Sequence, residues 1–452
     1  MKENINSKDN KKSEKENNDI EIKNEINEEN NNINIIMEEN NNININNNIN
    51  LISDEKTLKE NKDYFKASYL NFQSYANNAE LSIQNEIKNI KKNKKLSINR
   101  DLFWKILLGI LPYNKSKEWK EIISEERTKY HEAKKQFITN DIAEFIITKK
   151  IKDKYSSYFK FKDILSEEDY KYLDIIKIDV TRTFQKIELF KEEKIQEILI
   201  NVLFIYAKKN KEIGYRQGMS DLCAIFLYVL YKDKFLDATF INDNSTFDFF
   251  LLNSNNEFLE NDTFSLFSKF MEKGYSQFFL YSDEKYKDGE LSQIDKEKKK
   301  MLNKDEIINS NDSDLKKRIF LVYYQEFPLV DKQLYQYMED KIEPELFIIK
   351  WYLCIFSREI ELPQLVELWD LILYVQYLDD KNKKNQVEKI YAFKFIDYIA
   401  LSLLINVKNL IMTKKAGQLM SFLMKYPKDT DFKNIFTKAI ELYNKVKGNI
   451  KI

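Results

Sequence analysis

Apolar side chains recur along most of this chain at the spacing of amphipathic α-helices. The clearest series follows i, i+3, i+4, i+7, i+8 and i+11, which places its members on one side of a helix. It consists of Ile195, Ile198, Leu199, Val202, Leu203 and Tyr206. Two more series share the helical spacing, namely Phe103, Ile106, Leu107 and Ile110, and Leu365, Leu368, Trp369 and Ile372. No comparable alternation with period two appears, so the pattern predicts an all-α fold.

Two segments lack the helical periodicity. Residues 1–60 are low-complexity sequence dominated by Asn, Glu, Lys and Ile, which predicts a disordered tail. Residues 282–314 are polar and lie between periodic stretches, so we expect a charged loop inserted into a domain. We assign 61–94 to a linker or accessory helical segment and 95–447 to one large helical domain. A search for repeats finds no self-similar period, which disfavours a helical solenoid.

Composition excludes several functional classes. The 73 basic and 73 acidic side chains cancel, which argues against a dedicated nucleic-acid-binding protein. His131 is the only histidine and the two cysteines, Cys223 and Cys354, lie in apolar runs, so we expect no metal site and a reducing compartment. The N-terminus lacks the apolar core of a secretory signal, and the longest apolar run, 222–231, is too short for a membrane span. We therefore expect a cytoplasmic protein that reaches membranes only indirectly.

Arginine is scarce, with six occurrences among the 73 basic residues. A chain that otherwise uses Lys can retain Arg where a planar, permanently charged fork is needed, although chance or structural pairing is the more ordinary reason for any single Arg. Arg182 lies in the segment IKIDVTRTF, 176–184, and Arg216 lies in IGYRQGMSD, 213–221. The helix predicted around 195–209 separates these two segments.

The two segments resemble the I-x-x-D-x-x-R and Y-x-Q motifs of TBC-domain Rab GTPase-activating proteins, in the order and at the separation typical of that family. Three further blocks are similar to the family: RDLFWKILLGILP at 100–112, ENDTFSLFSKFM at 260–271 and WYLCIFSREIELPQLVELWD at 351–370. Together they cover nearly all of 95–447. The YRQGM core, NVLFIYAKKN and LMSFLMKYP resemble the retromer-associated, late-endosomal subgroup.

The resemblance implies that Arg182 and Gln217 are catalytic residues acting in trans on a Rab GTPase. Arg182 would neutralise charge between the β- and γ-phosphates in the transition state, and Gln217 would orient the attacking water. GTP and Mg²⁺ would belong to the Rab, because the chain has no G-x-x-x-x-G-K-[ST] motif and no cofactor of its own is expected.

Five other residues are assigned supporting roles. Asp179 precedes Arg182 by three positions on the same side of a helix, and Tyr215 and Gly218 bracket Gln217, where an anchored turn and a close backbone approach are expected. Arg358 and Asp370 are interpreted as members of internal polar pairs.

The implied partners are a Rab-family GTPase and, by the subgroup resemblance, retromer or another endosomal coat, with the protein peripheral to endomembranes. A non-catalytic helical adaptor that binds a Rab or a coat protein is the alternative. The presence of both Arg182 and Gln217 argues against it. The identity of the Rab stays open, because docking specificity is spread over many surface side chains.

Overall fold

The computed structural model describes residues 100–147, 164–233, 256–280, 304–309, 312–382, 392–427 and 430–447. All of these residues belong to one of the two units into which the chain divides, Ala67–Phe235 together with Ile241–Ile452. The predicted tail over 1–60, the segment 61–94 and the first part of the predicted insertion, 282–303, lie outside the described residues.

Helices account for nearly all regular structure in the described ranges, which contain no strand, and the predicted all-α fold is confirmed. The N-terminal helices are α1 (Arg100–Leu107), α2 (Trp119–Phe137), α3 (Asn140–Ile147), α4 (Glu167–Arg182), α5 (Glu193–Lys209), α6 (Met219–Asp233) and α7 (Leu259–Glu272). Short 3-10 turns occur at Ser116–Glu118, Glu188–Lys191, Asn256–Phe258 and Tyr275–Phe279.

The described C-terminal part of the chain is also helical. Its helices are α8 (Lys304–Ile308), α9 (Asp314–Phe320), α10 (Phe327–Val330), α11 (Lys332–Met338), α12 (Glu345–Leu353), α13 (Leu362–Asn382), α14 (Phe395–Asn406), α15 (Lys408–Ile411), α16 (Ala416–Met424) and α17 (Phe432–Lys447). A π-helical turn, Leu321–Glu326, joins α9 to α10. None of the described helices combines the length and the apolar character needed to cross a membrane.

The predicted apolar stripe of α5 forms part of the core. All six of its residues are buried, and α5 packs against α2, α4, α6 and α7. Trp369 of α13 lies at the centre of an aromatic cluster, with ring centroids 5.9 Å from Trp104, 5.2 Å from Phe226 and 5.1 Å from Phe270. These rings come from α1, α6 and α7, so burial of large aromatic surface joins residues far apart in sequence.

A buried ion pair between Arg318 and Asp397 anchors helix α12. The Arg318 guanidinium donates to Asp397 over 2.7 Å, and the Tyr352 hydroxyl of α12 donates to the same carboxylate over 2.8 Å. All three side chains are buried, where a paired and hydrogen-bonded charge is tolerated but an unpaired one is not. The end of α12 is therefore held at a defined position.

Two local predictions need correction. The series from Phe103 to Ile110 predicts one helix, but α1 ends at Leu107 because Gly109 adopts φ 77°, a left-handed conformation that suits glycine, and the Ile110 amide closes the end on the Lys105 carbonyl. The predicted loop 282–314 contains helix α8, whose Ile307 is buried against Phe320 and Leu321. A helix of five residues with one buried apolar side chain shows no helical periodicity in the sequence.

Candidate functional site

Arg182 is the last residue of helix α4. Ser166 caps the start of this helix, accepting a hydrogen bond from the Asp169 amide over 3.1 Å. At the other end, Thr183 adopts an extended conformation and Phe184 has φ 42°, so the chain turns away immediately after Arg182. The Arg182 side chain is 47% exposed. A long cation thus projects from the end of a rigid helix.

Gln217 lies in the short connection between α5 and α6, two residues before the first residue of α6, Met219. Its neighbours Tyr215 and Gly218 are buried, whereas Gln217 is exposed. Gly218 has φ 103°, and a Cβ atom there would lie 3.4 Å from the Leu353 carbonyl oxygen. The positive φ favours glycine at position 218. The turn presents the Gln217 amide to solvent.

A buried carboxylate connects the segments that carry Arg182 and Gln217. One oxygen of Asp179 is paired with the Arg182 guanidinium, and the other accepts a hydrogen bond from the Tyr215 hydroxyl over 2.8 Å. Asp179 is 3% exposed. Burial, and secondly the negative charge of Asp179, raise the pKa of Tyr215 well above its usual value, so this hydroxyl remains a donor at any physiological pH.

Thr183 and Ser220 form a second connection between α4 and the segment that follows Gln217. The Thr183 hydroxyl donates to the Asp179 carbonyl over 2.9 Å, and its oxygen lies 3.0 Å from the hydroxyl oxygen of Ser220, in the first turn of α6. Both side chains are buried. Because a buried hydroxyl without a partner is unfavourable, the end of α4 and the start of α6 are fixed in register.

Arg358 reaches the same turn of α6 from the segment after α12. Its guanidinium contacts Asp221 through Nε at 3.3 Å and Nη2 at 3.2 Å. Burial raises the pKa of Asp221, and the positive charge of Arg358 opposes that shift. The structure therefore places Arg358 beside the Gln217 segment, where its guanidinium contacts Asp221 in the first turn of α6.

Asp370 contacts helix α1 and not the segments of Arg182 and Gln217. It accepts hydrogen bonds from Arg100 Nε over 3.0 Å and from Trp104 Nε1 over 2.8 Å, so it ties α13 to α1. Burial raises the pKa of Asp370, and Arg100 opposes the shift. These contacts describe a tether between two helices. They do not join Asp370 to the segments of Arg182 and Gln217.

The structure adds three residues that sequence reasoning did not assign to the site: Thr183, Ser220 and Asp221. Each stands within or beside one of the two motif segments, but no property of a Ser, Thr or Asp in a sequence indicates which distant group it contacts. Among the described residues, no cluster of three His, Cys, Asp or Glu side chains is arranged to hold a metal ion.

Known proteins are similar to this chain in sequence and in fold. The family model for the Rab-GTPase-TBC domain matches residues 97–412. Mouse TBC1 domain family member 5 is 27% identical over 350 residues, which are 75% of this chain and 39% of that protein. GTPase-activating protein GYP1 of Saccharomyces cerevisiae is 24% identical over 275 residues, 60% of this chain and 34% of that protein.

The crystal structure of the Ypt/Rab-GAP domain of Gyp1p has the same fold, with a TM-score of 0.52 and 20% identity over 76% of this chain and 87% of that one. The chain spans well under half the length of the curated relatives described above. Since the family model covers more than half of the 452 residues, this chain belongs to the Rab-GTPase-TBC domain family.

Proposed function

We propose that this protein is a GTPase-activating protein for a Rab-family GTPase, to which it supplies Arg182 and Gln217 in trans. The observation that carries the proposal is the buried Asp179–Tyr215 hydrogen bond, which ties the end of α4, where the exposed Arg182 lies, to the turn from which the exposed Gln217 projects. An isolated surface Arg or Gln needs no such support. A pair that must enter another protein's active site together does.

The chemistry of Arg182 suits phosphoryl transfer. Its guanidinium has five N–H donors, and the pair with Asp179 leaves others directed to solvent. Negative charge spreads over the phosphoryl oxygens in the transition state of GTP hydrolysis, and an arginine supplied there accelerates the reaction by about 10³ to 10⁵. Asp179 keeps its bond to Tyr215 when Arg182 shifts toward phosphate, so the buried carboxylate is not left without a partner.

The chemistry of Gln217 complements that of Arg182. A side-chain amide both donates and accepts, so it can hold a water molecule and the phosphate oxygen next to it at the same time. The rigid turn at Gly218 fixes the backbone from which this amide projects. GTP and Mg²⁺ are then carried by the GTPase, and this chain alone hydrolyses nothing.

The cellular setting is part of the same proposal. A Rab substrate places the protein at the cytoplasmic face of endomembranes and in vesicle or endosomal trafficking. The resemblance of the YRQGM block to the retromer-associated, late-endosomal subgroup supports an endosomal assignment, with retromer or another coat as a candidate partner.

The direct test is single-turnover GTP hydrolysis by a panel of GTP-loaded Rabs, with and without the full chain. We expect at least one Rab to be accelerated by the wild-type protein and not by Arg182→Ala. Binding of a GTP-loaded Rab without acceleration would favour the non-catalytic adaptor. Neither binding nor acceleration across the panel would contradict both assignments.

A further inference from the structure

The segment that follows α12 has an unusual backbone. Ile355 and Phe356 are consecutive non-glycine residues with φ 42° and φ 59°. The left-handed region is disfavoured for any side chain with a Cβ atom and most of all for a β-branched one such as Ile. Both side chains are fully buried, and the Phe356 amide donates to the Trp351 carbonyl over 3.1 Å. Such a turn persists only where its surroundings enforce it, and strained turns of this kind concentrate at functional sites.

This turn directs Arg358 to Asp221. Nε and Nη2 of the guanidinium lie 3.3 Å and 3.2 Å from the same oxygen, Asp221 Oδ2, and the Cys354 thiol donates to the same carboxylate. The Asp221 side chain is 9% exposed, whereas Arg358 is 41% exposed. A charged group on the surface therefore holds a buried carboxylate in a helix.

Asp221 lies in the first turn of α6, four residues after Gln217. The Leu222 amide donates to the Gly218 carbonyl over 3.4 Å, so Gly218 is the one residue that separates Gln217 from the first turn of α6. Gly218 faces the strained turn closely enough that a Cβ atom there would lie 3.4 Å from the Leu353 carbonyl oxygen and 3.5 Å from the Cys354 sulfur. A displacement of the first turn of α6 is thus transmitted to Gln217 through one intervening residue. The helix start and the strained turn form one rigid support beneath it.

We propose that Arg358 is a positioning residue for GTP hydrolysis, acting on Gln217 through Asp221; this inference rests on the proposed function. Arg358 needs no contact with the nucleotide. Its planar fork sets two N–H groups against Asp221, a geometry that the single ammonium of Lys does not reproduce. Misplacement of a catalytic group by about 1 Å lowers rates by up to ~10²-fold.

The test compares single-turnover rates at saturating GTP-loaded Rab for wild type, Arg358→Gln, Gln217→Ala and the double variant. We expect Arg358→Gln to lower the rate about 10-fold with the concentration of half-saturation nearly unchanged, by the argument from misplacement. In the Gln217→Ala background the same change should lower the rate by less than ~2-fold, because Arg358 acts only through Gln217. Arg358→Lys and Asp221→Asn should fall between wild type and Arg358→Gln.

Arg100→Gln provides a matched control, since Arg100 also pairs with a buried aspartate, Asp370. It should lower the melting temperature but leave the rate unchanged. Hydrogen exchange in the free protein gives a readout that needs no Rab. Arg358→Gln should speed exchange of the amides in 217–222, and Arg100→Gln should not.

Each alternative result overturns the inference in a recognisable way. Equal rates for wild type and Arg358→Gln, or unchanged exchange in 217–222, would overturn it while the proposed function stands. A rate loss that persists undiminished in the Gln217→Ala background would show that Arg358 acts elsewhere. If the wild-type protein accelerates no Rab, the proposed function fails and the inference fails with it.

Discussion

Asp179 is the residue on which the geometry of the candidate site depends most directly. One carboxylate, buried between α4 and the α5–α6 connection, pairs with Arg182 through one oxygen and with Tyr215 through the other. A buried carboxylate satisfied on both sides has one favourable position, so it defines where two neighbouring segments stand. The position of this one side chain therefore sets the position of the Arg182 segment relative to the Gln217 segment.

The first prediction at this scale concerns the guanidinium of Arg182. Arg182→Lys retains the charge but loses the planar fork, so we expect the stimulated rate to fall by about 10² to 10³ while Rab binding is largely kept. Arg216→Lys is the control, because Arg216 is adjacent to Gln217 but has no assigned catalytic role. Single-turnover hydrolysis and equilibrium binding measure the two effects. Wild-type rates for Arg182→Lys would remove Arg182 from the mechanism.

A second prediction concerns the hydroxyl of Tyr215. Tyr215→Phe leaves one oxygen of the buried Asp179 without its donor, so it should lower the free energy of unfolding by about 1.5 to 3 kcal/mol and also slow the stimulated rate. Tyr443→Phe removes a similar hydroxyl, which donates to Asp379 over 2.9 Å, and serves as the control. It should lower stability without slowing the rate. Chemical denaturation with parallel rate measurements distinguishes the two variants.

A third prediction concerns the backbone at Gly218. Gly218→Ala forces a Cβ atom into a conformation with φ 103° and against the Leu353 carbonyl, so stability should fall by about 1 to 3 kcal/mol and the rate should fall as Gln217 moves. Gly417→Ala is the matched control, because a Cβ atom there meets nothing within 4 Å. Gly417 lies in helix α16, where Ala is favoured by up to ~1 kcal/mol. Equal stability of the two variants would contradict the proposed strain.

Among the elements, α4 carries an exposed stripe that leads to Arg182. Ile175 and Ile178 are 47% and 50% exposed, at positions where an amphipathic helix usually carries polar side chains. They precede Arg182 by two turns and one turn, about 10 Å and 6 Å along the helix axis. A GTPase that admitted Arg182 to its nucleotide site would cover roughly 800 Å² of this protein, and we expect that area to include this stripe.

The prediction at the scale of the element is that the stripe contributes to docking and not to chemistry. The double variant Ile175→Ser and Ile178→Ser should weaken binding of the GTP-loaded Rab about 10-fold or more, since each side chain loses apolar burial in the complex. The rate at saturation should stay unchanged. Leu410→Ser, at a position 48% exposed on α15, should leave both quantities unaltered. Unchanged affinity of the double variant would place the docking surface elsewhere.

At the scale of the whole molecule, the first turn of α6 is the junction on which three parts of the chain converge. Ser220 contacts Thr183 at the end of α4, Asp221 contacts Arg358 after α12, and α6 packs against α1, α5, α7 and α13. These contacts tie the first turn of α6 to the ends of two other segments of the chain.

The prediction for the whole chain concerns its N-terminal residues. Deletion of 1–60 should leave the melting temperature and the stimulated rate unchanged, because a segment with no aromatic residue and a polar composition contributes almost no apolar burial. Circular dichroism melts and Rab assays of the shortened chain measure both. A markedly lower melting temperature would mean that the tail packs on the helical domain.

The sequence by itself determined the all-α class, because the 3.6-residue period of apolar positions is a local property of the chain. Ile195 to Tyr206 are buried on α5 as their spacing indicates. The resemblance around 176–184 and 213–221 also singles out Arg182 and Gln217, whose catalytic roles stay a prediction. The periodicity did not predict the short helix α8, because five residues with one buried side chain are too few to show a helical repeat.

Only the tertiary structure decided how the site is supported. The partners of Asp179 and Thr183 lie 36 and 37 residues away, at Tyr215 and Ser220, and the partner of Asp221 lies 137 residues away, at Arg358. The left-handed turn at Ile355 and Phe356 contradicts the preference of both residues and exists because burial on all sides enforces it. Local preferences extend over a few residues, whereas hydrogen bonds between buried groups depend on which surfaces the packed helices bring together.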